Sequence, residues 1–167
     1  MFALAPGGSA VAASPEDSPD NPVQDPEIIF FGEKRFVDNG DGTVTDLKTG
    51  LMWLQDANFP KQSLPIQVAK KYLVKLNRGE YENRGYTDWR LPSVKEFQAL
   101  VDKSRSSPAL SVGHPFLHVQ NGYYWSSSGG INIVEYVWLM DIAYGIVKFD
   151  YPSYCNFQYL WPVRDAR

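Results

Sequence analysis

Gly85-Tyr86-Thr87-Asp88-Trp89-Arg90-Leu91-Pro92-Ser93-Val94-Lys95-Glu96-Phe97 is the stretch around which the chain is organised. Ser93 and Glu96 form a capping-box pattern. The Ser93 hydroxyl accepts from a free amide at a helix start, and the Glu96 carboxylate reaches back to the Ser93 amide. Pro92 keeps Leu91 out of helical geometry. Val94, Phe97, Leu100 and Val101 then recur at helical spacing, so one face of the helix is buried. Upstream, Trp89 and Leu91 alternate with Asp88 and Arg90, as in an extended segment with one apolar side.

The chain of 167 residues is long enough for one domain plus a tail, and its 44% apolar content supports an ordinary core. Aromatic residues reach 14%, with ten Tyr and five Trp, which combine a large apolar body with a polar tip. The formal charge is −3 and no dense Lys/Arg run occurs, so nucleic acid is not expected as a partner. Cys155 stands alone, which excludes an intrachain disulfide and a cysteine-based zinc site. No apolar run approaches the roughly 18 residues a membrane span requires.

Residues 1–27 read as a flexible leader or an inter-subunit arm, and residues 28–167 as the domain. Ala10-Val11-Ala12 fits the small-residue pattern before a signal cleavage site, but the basic and long apolar parts of an export signal are missing. Ile28 to Phe31 reads as a first strand. Arg35 to Asp38, the Asn39-Gly40-Asp41-Gly42 turn, Thr43 to Asp46, and Leu51 to Leu54 form a three-stranded meander. Ser63 to Asn77 reads as the first helix, with Pro65 in its first turn and Gly79 closing it. The opening stretch supplies the second helix. Ser104 to Gly122 is irregular. Tyr123 to Ser128, Val134 to Asp141, Ile146 to Phe149 and Tyr159 to Arg164 read as strands, the last bulged or at an edge because Pro162 lacks an amide. This order predicts an α+β domain whose two helices flank mainly antiparallel sheet.

The motifs Arg35-Phe36-Val37-Asp38-Asn39-Gly40-Asp41-Gly42-Thr43-Val44-Thr45-Asp46, Thr49-Gly50-Leu51-Met52-Trp53, Gly85-Tyr86-Thr87-Asp88-Trp89-Arg90-Leu91-Pro92, His114-Pro115-Phe116, Tyr124-Trp125-Ser126-Ser127 and Pro162-Val163-Arg164 carry a family resemblance. Together they resemble the C-terminal domain family of a bacterial collagen-like adhesin, the Lcl C-terminal domain. The resemblance implies a C-type-lectin-like fold in which terminal strands pair and a long loop region carries the variable surface. It also implies export to the extracellular space or cell surface, homo-oligomerisation, and binding of host glycans such as sulfated glycosaminoglycans. This chain carries no collagen-like repeat, and its acidic balance works against a sulfated ligand unless a local basic patch intervenes.

Asp38, Asn39 and Asp41, with Asp46, are the calcium candidates, because calcium takes several oxygen ligands at close quarters. No register supplies the closing Glu of an EF-hand loop, and turn chemistry accounts for the cluster, so neither a metal nor another cofactor is expected. His114 and His118 have a zinc-like spacing, but Pro115 and the loop surroundings oppose it. Cys155 has no neighbouring cation to activate it. Ser126, Ser127 and Ser128 lack a nucleophile-elbow context. No catalytic constellation emerges, and the chain is not expected to be an enzyme. Asp88, Trp89, Arg90, Trp125 and Arg164 read as structural, with an Arg fork bracing the loop before the second helix.

The ligand-binding candidates are Tyr144, Tyr151, Tyr154, Tyr136 and Trp138. They belong to a crowd of late aromatics of which alternation turns about half outward. Exposed Tyr and Trp on a rigid scaffold suit sugar stacking or protein contacts, against edge packing within the fold as the competing reading. The expected function is a non-catalytic adhesion domain recognising glycan or protein through aromatic loops. The alternative is a structural subunit of an extracellular homo-oligomeric assembly, with the N-terminal segment as docking arm.

Overall fold

The computed structural model describes residues 34–129, 136–151 and 156–166. The leader at residues 1–27, the strand expected at Ile28 to Phe31, Val134, Tyr154 and Cys155 lie outside the described residues. In chain order the elements are β1 (Phe36–Asp38), β2 (Thr43–Asp46), β3 (Leu51–Leu54), β4 (Phe59–Leu64), α1 (Ile66–Asn77), α2 (Val94–Leu100), β5 (Tyr123–Gly129), β6 (Val137–Asp141), β7 (Ile146–Asp150), β8 (Gln158–Leu160) and β9 (Val163–Asp165). They form two sheets, one ordered β1-β2-β3-β9 and the other β4-β8-β5-β6-β7. All pairings are antiparallel except β5 with β8. The expectation of a mixed α+β domain with two helices and mainly antiparallel sheet holds, and the strands divide into two sheets.

The β1–β3 meander follows from its turn residues. Gly40 and Gly42 take φ of +75° and +86°, a region open to glycine at little cost. The Asp38 and Asp41 carboxylates accept from the Gly40 and Thr43 amides. Asn39 donates to the Thr43 and Thr45 hydroxyls. Asp46 is buried and closes the second turn, accepting from the Lys48 amide, the Thr49 hydroxyl and two nitrogens of Arg35. Burial pushes the Asp46 carboxyl up, but the Arg35 and Thr49 bonds outweigh it and hold it below its ordinary value. The calcium candidates are therefore engaged in turn bonds.

α1 begins later than its sequence pattern suggests. Ser63 and Leu64 end β4, and Pro65 is the N-cap residue, with extended backbone. Leu64 mimics a helical stripe position because its side chain is buried with Ile66, Ala69, Leu73 and Leu76. The helix ends as expected at Gly79, φ +75°, with the Gly79 amide on the Leu76 carbonyl and the Glu80 amide on the Lys75 carbonyl. α2 carries the complete capping box, with Ser93 Oγ accepting from the Glu96 amide and Glu96 Oε2 from the Ser93 amide.

The closing strand breaks into two at Trp161-Pro162. β8 joins the second sheet and β9 pairs with β3 in the first. The chain changes sheets where proline cannot donate to a ladder, and the buried Trp161 indole donates to the Leu54 carbonyl at 2.8 Å. This switch ties the sheets together.

The core has two parts, one on each side of the central strands. Trp53, Tyr124, Met140, Trp161 and Val163 pack with Phe97 and Leu100 of α2. Met52, Leu54, Trp125, Leu139 and Leu160 pack with Leu73 and Leu76 of α1 and with Trp89 and Leu91. β3 is thus buried on both faces, which explains its uninterrupted Leu51-Met52-Trp53-Leu54 run. Of the structural aromatics, Trp89 is 2% exposed and Trp125 is fully buried. The Trp125 indole donates to the Leu64 carbonyl at 2.6 Å.

Candidate functional site

The site is built on a braced scaffold. Asn77, the last residue of α1, bonds both ways to the Trp89 backbone: its amide donates to the Trp89 carbonyl and its oxygen accepts from the Trp89 amide, each at 2.9 Å. The Arg90 amide and carbonyl bridge to Val163 of β9. The Arg90 guanidinium forks onto Glu96 at 2.9 and 2.7 Å and reaches Asp165 at 2.9 Å. The Glu96 bond above all, with Asp165 assisting, raises the Arg90 pKa. Burial pushes the Glu96 carboxyl up, but the Arg90 and Ser93 bonds prevail and lower it. The arginine fork at Asp88 comes from Arg164, through bonds of 2.7 and 3.2 Å. Asp88 is thus bonded to Arg164, and Arg90 turns to Glu96.

The serines after Trp125 are also bonded within the scaffold. The Ser126 hydroxyl donates to the Trp138 carbonyl at 2.6 Å, and Ser128 Oγ accepts from the Val94 amide at 3.0 Å. His114 packs its ring 5.8 Å from that of Phe116, and burial lowers its pKa. His118 is exposed and sits with Lys61 on Asp56, its Nδ1 3.1 Å from Asp56 Oδ2. The two histidines therefore have different surroundings. Among the described residues, no group of three or more His, Cys, Asp or Glu is placed to hold a metal ion.

The late aromatics divide as alternation requires. Tyr124 is fully buried, and burial raises its phenol pKa. Trp138, Met140, Val147, Phe149 and Tyr151 share one face of β6 and β7, since Trp138 opposes Phe149 and Met140 opposes Val147. Near Met140 that face is core. Toward Tyr136 and Tyr151 it opens. There the rings of Tyr136 and Trp138 lie 5.7 Å apart, Tyr136 and Phe149 5.9 Å, Trp138 and Phe149 5.7 Å, and Phe149 and Tyr151 6.3 Å, all edge to face. Phe149 is 56% exposed and Tyr151 53%, while Tyr136 and Trp138 are half-buried. Edge-to-face contact fixes these rings against one another and leaves an apolar, preorganised surface.

Tyr144 is not part of it. It sits 62% exposed on the turn between β6 and β7, beside a groove of about 350 Å³ lined by Gln98, Lys103 and Ile146. That turn is held by the buried Asp141, whose carboxylate accepts from the Ala143 amide and whose carbonyl accepts from the Gly145 amide. Tyr144 and Tyr151 lie beyond opposite ends of β7. Tyr154 is outside the described residues. Phe149, absent from the sequence candidates, is the centre of the ring set. The alternation Val147, Phe149, Tyr151 along β7 was the signal for it.

The described structure is thus a mixed α+β domain of two mainly antiparallel sheets, carrying an open aromatic face on its last hairpin. The chain belongs to the Lcl C-terminal domain family, whose model matches residues 42–164, from the Gly42 turn to Arg164 of the brace. This is the family that the sequence motifs resemble. No curated protein and no solved structure matches the chain. No helix among the described residues is long and apolar enough to cross a membrane.

Proposed function

We propose that this chain is a non-catalytic, exported binding domain that recognises glycan or protein through the Tyr136, Trp138, Phe149 and Tyr151 face. The observation that carries the reading is that ring set: four aromatic side chains packed edge to face, two of them more than half exposed. A rigid aromatic surface gives large contact area at small entropic cost, which suits stacking on sugar rings or docking on a protein. The engagement of Asp46, Asp88, Glu96 and Ser126 in structural bonds supports a binding role over chemistry.

A C-type-lectin-like arrangement of residues 28–167 belongs to the same proposal. Its support is the pairing of β9 with β3 of the N-terminal meander and the loop-rich stretch between α2 and β5. Residues 1–27 are proposed as a leader or an arm to a neighbouring subunit. Immobilised protein is tested on a glycan array and by pull-down of surface proteins. Loss of capture in the Trp138→Ala, Phe149→Ala, Tyr151→Ala triple variant, with its circular dichroism unchanged, supports the reading. Capture that persists in that variant overturns the site.

A further inference from the structure

The open aromatic face adjoins a free strand edge. Its described side chains, Tyr136, Trp138, Phe149 and Tyr151 with Val147 half-buried beside them, carry no charge. Their polar groups are two phenols and one indole N–H. Tyr136, Trp138 and Phe149 stand edge to face on all three sides of a triangle, so each flat ring surface is partly taken up by a neighbour. β7 is the last strand of its sheet, with β6 on one side and no strand on the other among the described residues. Lys148 and Asp150 alternate to the opposite face and are engaged within the chain. Lys148 donates to the Tyr123 hydroxyl, and Asp150 accepts from the Tyr151 amide and from the Asn156 side chain. Neither charge is free to choose a partner.

We propose that the ligand of this face is an extended segment of a partner protein, added to β7 as a further strand, with apolar side chains at every second position. The proposal rests on the ring-face reading and narrows its ligand from glycan or protein to one class. An extended peptide carries backbone amides and carbonyls that must stay paired when water leaves, and the outer edge of β7 supplies their partners. Alternate side chains of an added strand project to the same face of the sheet, about 7 Å apart, and so continue the ring surface across the new strand. One occupant thus satisfies the edge and the apolar face together. A sugar matches neither. It bears a hydroxyl on most ring carbons, and this face has few groups to replace the water those hydroxyls lose. Charge complementarity disfavours a sulfated or carboxylated glycan further, because its anions would be desolvated against rings that hold no counter-charge. Lys103 borders the groove at the Tyr144 end of the hairpin instead.

A displayed library of short random peptides, panned against the immobilised full chain, tests this. The expected result is enrichment of sequences with an apolar or aromatic residue at every second position. One enriched peptide is then synthesised and titrated by fluorescence anisotropy. Backbone N-methylation of one alternate set of its residues is expected to weaken binding more than about tenfold, and methylation of the other set to leave it unchanged, because only every second amide of an added strand faces β7. Phe149→Ala is expected to weaken the same peptide about tenfold. If that variant fails to fold, the two methylated peptides still decide the matter on the unaltered chain. No enrichment, enrichment at helical spacing, or methylation that acts alike on both sets overturns strand addition. A glycan captured by the unaltered chain and lost in the folded Trp138→Ala, Phe149→Ala, Tyr151→Ala variant overturns the peptide inference and leaves the ring face as the site. Peptide binding that survives in that variant overturns the ring-face reading itself.

Discussion

Arg164 grips Asp88 through two guanidinium nitrogens, and the two residues differ sharply in exposure: Arg164 is 6% exposed, whereas the Asp88 side chain is 42% exposed. Arg164 is also packed 4.0 Å over the Tyr86 ring and against the Met52 sulfur. Removing the carboxylate leaves a buried cation without its counter-charge, while removing the arginine leaves a carboxylate that water can reach. Asp88→Ala is therefore expected to destabilise by about 3 kcal/mol. Arg164→Met, which keeps much of the packing volume, is expected to destabilise by less. Chemical denaturation of both variants checks the order.

The meander turn offers a matched pair of glycines. Gly40 and Gly42 both have positive φ, but a Cβ on Gly40 meets nothing within 4 Å, whereas one on Gly42 lies 2.7 Å from Arg84 Cζ. Gly40→Ala is expected to destabilise by about 1 kcal/mol from backbone strain alone. Gly42→Ala adds the displacement of Arg84, which comes from the loop after α1. The excess should vanish in an Arg84→Ala background. A double-mutant cycle by thermal unfolding measures that coupling directly.

Stability should fall with acid in two steps. Burial lowers the His114 pKa below its ordinary 6.5, so the unfolded chain binds this proton more readily. The His114 contribution is full above pH 6.5 and is lost as the pH falls through the folded value. Glu96 and Asp46 are likewise lowered, from 4.5 and 3.8, once their partner bonds outweigh burial. Their contributions are full above those values and are lost at still lower pH. His114→Phe keeps a ring against Phe116 and should remove the first step while leaving the second. Denaturant midpoints across pH 3 to 8 (a range of about five units) separate the two.

Much of the frame was legible in the sequence where chemistry was local. The Ser93–Glu96 box, the turn glycines at Gly40 and Gly42, and the alternation that buries Trp89 and Leu91 each depend on near neighbours. β4 was not legible. Phe59-Pro60-Lys61-Gln62-Ser63 has no strand alternation, and Leu64 and Pro65 imitate a helix start. Which of the two arginines meets Asp88 was left open for a different reason. Arg90 is its neighbour in sequence, but the capping-box Glu96 claims that guanidinium, and β9 delivers Arg164 instead. Phe149 shares the Val147, Phe149, Tyr151 alternation, and its register with Trp138 places it in the ring set.

Tyr144 and Tyr151 were indistinguishable as candidates in sequence, since both are late, loop-adjacent tyrosines. In the fold they sit at opposite ends of β7, and only Tyr151 touches the ring set, through Phe149. Any ligand held by the open aromatic face must therefore distinguish them. Trp138→Ala removes the largest ring and unseats Tyr136 and Phe149, so capture is expected to fall more than about tenfold, as at a binding hot spot. Tyr151→Ala removes an outer ring and should reduce capture less. Tyr144→Ala should leave capture unchanged, although its side chain is the most exposed of the three. Titration of each variant against the same captured ligand by calorimetry reads the order. Equal losses at Tyr144 and Trp138 would place recognition along the whole hairpin, and a loss at Tyr144 alone would move it to the Gln98 and Lys103 groove.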